Sequence, residues 1–156
     1  MILHIIRFFN IVMAGLIAGT LFGIWIGYNP QNLSAQTYVE QQQSVIKALN
    51  TMMPILGLIA IILTLIAAFM QKSNQTVFII LLAATVLLIT SGLVTRFGNQ
   101  PINSIVMTWN KADVPNNWLE LRNKWWSWHV IRAITALVAF CLIVWTSMRK
   151  EGILDR

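Results

Sequence analysis

Residues 52–94 read MMPILGLIAIILTLIAAFM (52–70), QKSNQ (71–75) and TVFIILLAATVLLITSGLV (76–94), and this stretch decides the fold. At ~1.5 Å of rise per residue, either apolar block is long enough to cross a hydrocarbon core of ~30 Å as a helix. The polar link between them has room only for a tight turn, so the two blocks form an antiparallel hairpin. Apart from Gly57, Thr64, Thr76, Thr85, Thr90, Ser91 and Gly92, both blocks are almost plain hydrocarbon.

Two further stretches of membrane length flank the hairpin, at about Phe8 to Tyr28 and Val130 to Met148. None of the four contains Asp, Glu or Lys; Arg132 is their one cation, with Arg7 just outside the first. The whole chain is 57% hydrophobic and 10% charged, far from the balance of a water-soluble domain, so lipid must cover much of its surface. The expected fold is all-α: a four-transmembrane-helix antiparallel bundle with short interfacial helices in the first and third loops, forming one domain over residues 1–156. The first apolar run is about twenty residues, against ~7–15 in a signal-peptide core, so it is expected to be retained as a span.

The net charge is +6, yet the eleven Lys and Arg are scattered in ones and twos. Without a polybasic run, nucleic acid is not an expected partner. Cys141 is alone and inside the fourth span, so it cannot close an intramolecular disulfide. Four spans place both termini on one side. Arg7, Lys72, Arg149, Lys150 and Arg156 lie there in short segments, while Lys47, Arg96, Lys111, Arg122 and Lys124 occupy longer loops opposite. Short loops carry more topological weight, which predicts cytoplasmic termini in a plasma (inner) membrane.

The first span carries Gly15, Gly19, Gly23 and Gly27 at i+4 spacing, beside Ala14 and Ala18. Small residues in this register admit a neighbouring backbone, either inside the bundle or across a homo-oligomer seam, or a flat ligand. Asn29-Pro30 then ends the helix. Residues 34 to 53 form an amphipathic helix with Glu40, Gln43, Lys47 and Asn50 on one face and Tyr38, Val45, Leu49 and Met52 opposite. Beyond the third span, Pro101 is placed to start a short helix. There Ile102, Ile105, Val106 and Trp109 repeat at i, i+3, i+4 and i+7, as in a piece lying against the bundle mouth.

The fourth span is preceded by residues 118–132, WLELRNKWWSWHVIR. At 100° per residue Trp118, Arg122, Trp125, His129 and Arg132 share an arc of roughly 80°. Glu120, Lys124 and Ser127 fall on the other side, with Glu120 and Lys124 spaced as an i,i+4 pair for water. Asn117 and Glu120 have capping-box spacing, which starts the helix at Trp118. The aromatic and cationic seam therefore points into protein. Two readings of it remain open. In the first, the tryptophans are an interfacial belt and Arg132 snorkels to headgroups; in the second, the seam lines a polar pocket at the non-cytoplasmic mouth. They separate on whether Arg122, His129 and Arg132 are buried together.

The two histidines, His4 and His129, belong to opposite membrane faces, so they cannot share a metal ion or haem, and no metal site is expected. Phosphate loops, dinucleotide fingerprints and serine-nucleophile motifs are missing too. What remains is acid-base and anion chemistry. His129 is the candidate base, Arg122 and Arg132 would hold the anion that forms, and Glu40 would orient or relay from His129 if it reaches. Flat walls from Trp118, Trp125 and Trp109, with Gln43, Asn50 and Asn103 nearby, suit a planar hydrophobic molecule arriving from membrane lipid.

Four motifs occur in a fixed order: the glycine-spaced first span, Ala-Leu-Asn-Thr-Met-Met-Pro at 48–54, Pro-Ile-Asn at 101–103 followed by Trp109, and Trp118-x-x-x-Arg122-x-x-Trp125-x-x-x-His129-x-x-Arg132. With them the chain resembles the anthrone oxygenase-like family of small four-helix membrane proteins. The resemblance rests chiefly on Asn50, Asn103, Trp109, Arg122, Trp125 and Arg132. It implies a four-helix bundle and raises oxidation of an anthrone-type polyphenol by dioxygen with no metal or flavin cofactor. The alternative function is a non-enzymatic binder of lipid, quinone or pigment, or an accessory subunit of a membrane complex.

Overall fold

The computed structural model describes residues 1–149; Lys150 and Arg156, which entered the charge argument, lie outside them. The described residues are helical almost throughout: α1 (Ile2–Gly27), α2 (Ala35–Leu49), α3 (Met52–Met70), α4 (Gln75–Val94), α5 (Gln100–Val106) and α6 (Trp118–Met148). Four helical stretches are long and apolar enough to cross a membrane: one is built on α1, one is α3, one is α4 with its extension, and one is α6. The protein is an all-helical membrane protein.

Neighbours in the bundle run α1–α3–α4–α6 and back to α1. Cross-links fix their directions. Thr64 donates to Asn10 and Gln71 accepts from Arg7, so α1 and α3 are antiparallel. Leu21 meets His129 while Gly15 meets Phe140, so α1 and α6 are too. Ser91 to the Arg132 carbonyl and Asn99 to the Trp125 carbonyl do the same for α4 and α6.

The seams of the bundle are lined by alanine. Ala14, Ala60, Ala84, Ala133, Ala136 and Ala139 are all buried, and Leu81 and Ile143 fill the centre. Water cannot drive helices together inside lipid, so close backbone approach and dispersion must, and small residues permit both. Large side chains such as Leu58, Phe69, Val86 and Trp145 face outward, where acyl chains cover them. Of the glycine row, Gly15 packs against Phe140 within the bundle, whereas Gly19, Gly23 and Gly27 are open on the outside of α1.

Local chemistry sets the helix ends. Ser34 accepts the Thr37 N–H at the start of α2, and Asn74 accepts the Val77 N–H at the start of α4. α6 begins at Trp118 as the sequence indicates, but Asn117 makes no side-chain cap. Its backbone is near the bridge region instead, and the Asn117 carbonyl accepts from Leu121. Glu120 and Lys124 form no ion pair in the structure; both face water, where the i,i+4 attraction is weak.

Two expectations need correcting. α5 does start with Pro101 in its first turn, but it is not separate from α4: a π-turn over Thr95–Asn99 joins them, with the Gln100 N–H reaching back to the Thr95 carbonyl. Pro101 has no N–H for the regular ladder, and its ring would crowd the carbonyl four residues back. A widened turn removes that conflict without breaking the helix. In α2 the buried stripe is Tyr38, Val39, Gln42 and Ile46, rotated about one residue from the expected face, so Gln42 lies inside and Gln43 at the flank. The reason is α5, which offers Ile102 and Val106 as the apolar surface for α2 to lie on.

Candidate functional site

A small cavity of about 40 Å³ lies where α2 crosses the mouth of the bundle. One wall is apolar, from Leu21 and Ile24 of α1, Val45 and Ile46 of α2, and Met53 and Pro54 of α3. The other is polar, from Thr95, Gln100 and Asn103 of the α4–α5 helix and Arg132 of α6, with the Trp125 ring between. The π-turn matters here. It sets Thr95 and Gln100 on the same side as Asn103, a phase that an unbroken α-helix does not have.

The sequence seam is turned inward, with its residues buried to different degrees. Trp125 and His129 have almost no exposure, Arg122 is 8% exposed, and Arg132 is partly buried. Arg132 sits sixteen residues, roughly 24 Å, from the far end of α6. Snorkelling is excluded by its contacts: Nε and Nη2 reach His129 Nδ1 at 3.1 and 2.9 Å, Nη1 reaches the Thr95 hydroxyl at 3.5 Å, and Cζ is 5.7 Å from the centre of the Trp125 ring.

Donor and acceptor roles follow from the partners. An indole N–H can only donate, so the Asn103 atom 2.8 Å from Trp125 Nε1 is its carbonyl oxygen. The same oxygen faces Gln42 Nε2 at 3.5 Å, and the Gln42 carbonyl accepts from the Tyr28 hydroxyl at 3.0 Å. Asn103 thus commits its oxygen to the protein and also lines the cavity. Arg132 supplies donors from the adjoining helix. Gln100 binds Asn50 Oδ1 at 2.8 Å and closes the rim.

Among the described residues, Arg132 has no carboxylate partner, and no three His, Cys, Asp or Glu side chains cluster as metal ligands would. A guanidinium within a membrane span costs several kcal/mol unless its charge is answered. The cavity beside it is mostly apolar, with the positive charge of Arg132 at its polar wall.

The remaining candidates separate. Arg122 is not at the cavity: its guanidinium lies over Trp118 at 5.1 Å, with Nε and Nη2 on Asn123 Oδ1 and Nη1 3.5 Å from the Gln31 carbonyl. Trp118 also packs against Tyr38, whose phenol is raised by burial despite the opposing charge of Arg122. Trp109 and Gln43 belong to the fastening of α2: Gln43 Nε2 donates to the carbonyls of Val106 and Trp109, each at 3.0 Å. Glu40 does not reach His129. It is exposed and pairs with Lys111 at 3.3 Å, on the outer face of α2, because that helix turns its apolar stripe inward.

His129 is also differently placed from a free base. Both ring nitrogens are occupied, Nε2 by the Leu21 carbonyl at 3.2 Å and Nδ1 by Arg132. The polar residues that the sequence reading missed are Gln42, Thr95, Gln100 and Tyr28. For Gln42 a signal existed, since it lies four residues from both Tyr38 and Ile46 on the apolar stripe. For Thr95 and Gln100 none did, because helical phase is counted without a π-turn.

The family model for anthrone oxygenase matches residues 43–142. This chain belongs to the anthrone oxygenase family. The matched region runs from the middle of α2 through most of α6, and so contains every polar residue of the cavity except Gln42, which it adjoins. Neither the curated proteins nor the solved structures contain a match to this chain.

Proposed function

We propose that this anthrone oxygenase family member takes a flat hydrophobic aromatic from lipid and oxidises it with dioxygen, using an oxyanion hole made by Arg132 and Asn103. The observation that carries this reading is the guanidinium of Arg132 beside the cavity without a carboxylate. Such a hole favours a substrate that becomes an anion on oxygen, as the enolate of an anthrone-type carbon acid does. The reaction then balances simply. A carbon-bound proton leaves to water, and dioxygen adds to the carbanion and takes up a proton. Loss of the second proton from that carbon with cleavage of the O–O bond leaves a carbonyl and water. Dioxygen is the only oxidant needed, and the protein's part is to stabilise the anion.

A cavity of about 40 Å³ has space for a few waters or a diatomic gas. A ring system therefore enters with displacement of α2, which is joined to its neighbours at Asn29–Ser34 and Asn50–Thr51 and held by its apolar stripe on α5 together with amide hydrogen bonds. Oxygen uptake with anthrone by the purified protein in lipid nanodiscs is the direct test. Arg132→Gln should reduce it by about 10²–10³-fold, the loss expected for an oxyanion donor; an unchanged rate would sink the reading.

The second reading is a binder of a quinone, pigment or lipid, on its own or within a larger membrane complex. It is favoured by the lack of a free side-chain base at the cavity, since His129 is fully engaged and Glu40 is on Lys111. Here the purified protein should retain an apolar ligand in mild detergent, seen by mass spectrometry, and anthrone should cause no oxygen uptake.

Both termini are proposed to lie in the cytoplasm of a cell with the protein in its plasma membrane, on the density of cations in the short loops. Labelling of Glu40→Cys and Glu120→Cys from outside, with Lys72→Cys protected, would agree; the reverse would overturn it. The open row of Gly19, Gly23 and Gly27 is proposed as a contact for a second copy. Gly23→Leu should then abolish detergent-resistant dimers, and dimers that persist would reject the seam.

A further inference from the structure

His129 is fully buried, yet neither of its ring nitrogens faces the cavity. The Leu21 carbonyl can only accept, so Nε2, 3.2 Å away, carries the hydrogen. Nδ1 is then a lone pair, and it is where Nε and Nη2 of Arg132 point. Protonating Nδ1 would set N–H against N–H, cation against cation, and the guanidinium would have to leave. The ring has no freedom to turn away, since it is stacked on Trp125 at 5.1 Å and 5° and on Trp126 at 5.6 Å and 19°.

The same contacts define what Arg132 lacks without His129. Three places touch the guanidinium: His129, the Trp125 face and the Thr95 hydroxyl at 3.5 Å. Only His129 holds it by short hydrogen bonds. A four-bond side chain freed of that acceptor would sample other rotamers, and the positive charge would no longer be fixed at the cavity.

We propose that His129 is a positioning residue: it acts as a neutral acceptor that holds Arg132 in the oxyanion hole, and it takes no proton from the substrate. This rests on the reading of Arg132 and Asn103 as that hole. Its function is carried by the lone pair at Nδ1 and the anchor to α1, not by basicity. An asparagine at this position retains an acceptor near the place of Nδ1 while having no useful basicity, whereas leucine fills the space with no acceptor.

The probe is alizarin, a hydroxyanthraquinone dye whose visible spectrum changes when its phenol ionises, titrated on the folded protein in nanodiscs. Wild type should lower the first ionisation of the bound dye by about one unit relative to empty nanodiscs, a tenfold change in ionisation. His129→Asn should keep that shift and also keep oxygen uptake within a few fold. His129→Leu should lose the shift, as should Arg132→Gln. Asparagine retaining the dye shift but losing all oxygen uptake would mean His129 is a base and overturn the proposal. So would a full shift in His129→Leu. If the leucine variant does not fold, the asparagine variant decides alone, and loss of its shift counts against the proposal. Wild type that binds the dye without any shift would instead defeat the oxyanion-hole reading underneath.

Discussion

Two polar clusters lie within the bundle, near opposite ends, and they have different character. Near the N-terminal end of α1, Thr64 gives its hydroxyl hydrogen to Asn10 and the Ala60 carbonyl, while Gln71 binds the Ala67 carbonyl and accepts from Arg7. These contacts tie α1 to α3. At the other end, Asn103 and Arg132 bond to Trp125 and His129 and also line a cavity. Polarity inside a membrane protein is therefore not by itself a site. What sets the second cluster apart is the cavity that Asn103 and Arg132 line, where something could accept from them.

The largest effect should come from the open cluster: Arg132→Gln is expected to cut ligand-dependent activity by 10²-fold or more with little change in thermal stability. A large loss of stability with no functional loss would make Arg132 structural glue like Asn10. Next is Asn103→Leu, which removes a polar side chain from the cavity wall and leaves Trp125 Nε1 buried without its acceptor. It should cost about 1–3 kcal/mol in unfolding free energy and also weaken dye binding, as followed by denaturation in detergent and by the alizarin titration.

The closed cluster should respond in one way only. Thr64→Val leaves the Asn10 carbonyl oxygen unanswered, so a loss of ~0.5–2 kcal/mol is expected with the dye shift unchanged. A changed shift would mean the two clusters communicate, and the comparison would fail. Smallest of all, Lys111→Ala should alter stability by less than about 1 kcal/mol, because its pair with Glu40 is exposed. If it halves activity or more, Glu40 is nearer to the chemistry than its position indicates.

A close approach links the fold to the open cluster. A Cβ on Gly98 would come within 2.7 Å of the Trp128 ring, inside contact distance. Gly98→Ala should thus push Trp128 and the π-turn apart and shift Thr95, giving a loss of ~1–3 kcal/mol that can be checked by thermal scan. The glycine's significance is in that contact, since the side of α4–α5 facing α6 must lie flat against an indole.

Much of this was legible beforehand. The four spans and the burial of Trp125 and His129 follow from apolar length and from a phase of 100° per residue, which a regular helix obeys closely. α6 does start at Trp118, but without the Asn117 cap from which that start was read. Which residues gather at the cavity was legible in part. Arg132, Asn103, Asn50 and Trp125 do meet at one cavity. Arg122 and Trp118 form a cluster of their own, and Glu40 lies outside with Lys111. Glu40 was misjudged since facing is relative: the polar face of an amphipathic helix turns to water once its apolar stripe has a surface to lie on.

The amino-acid order alone thus determined a membrane bundle, its spans and the inward seam of α6, because burial and helical repeat are properties of one segment at a time. The tertiary structure decided which polar groups face each other. That choice depends on a π-turn that changes the phase of one helix, on the height at which α1 offers the Leu21 carbonyl to His129, and on α5 giving α2 its bed. Each is a relation between segments, and hydrogen bonds only a few ångströms long are made or lost by such offsets.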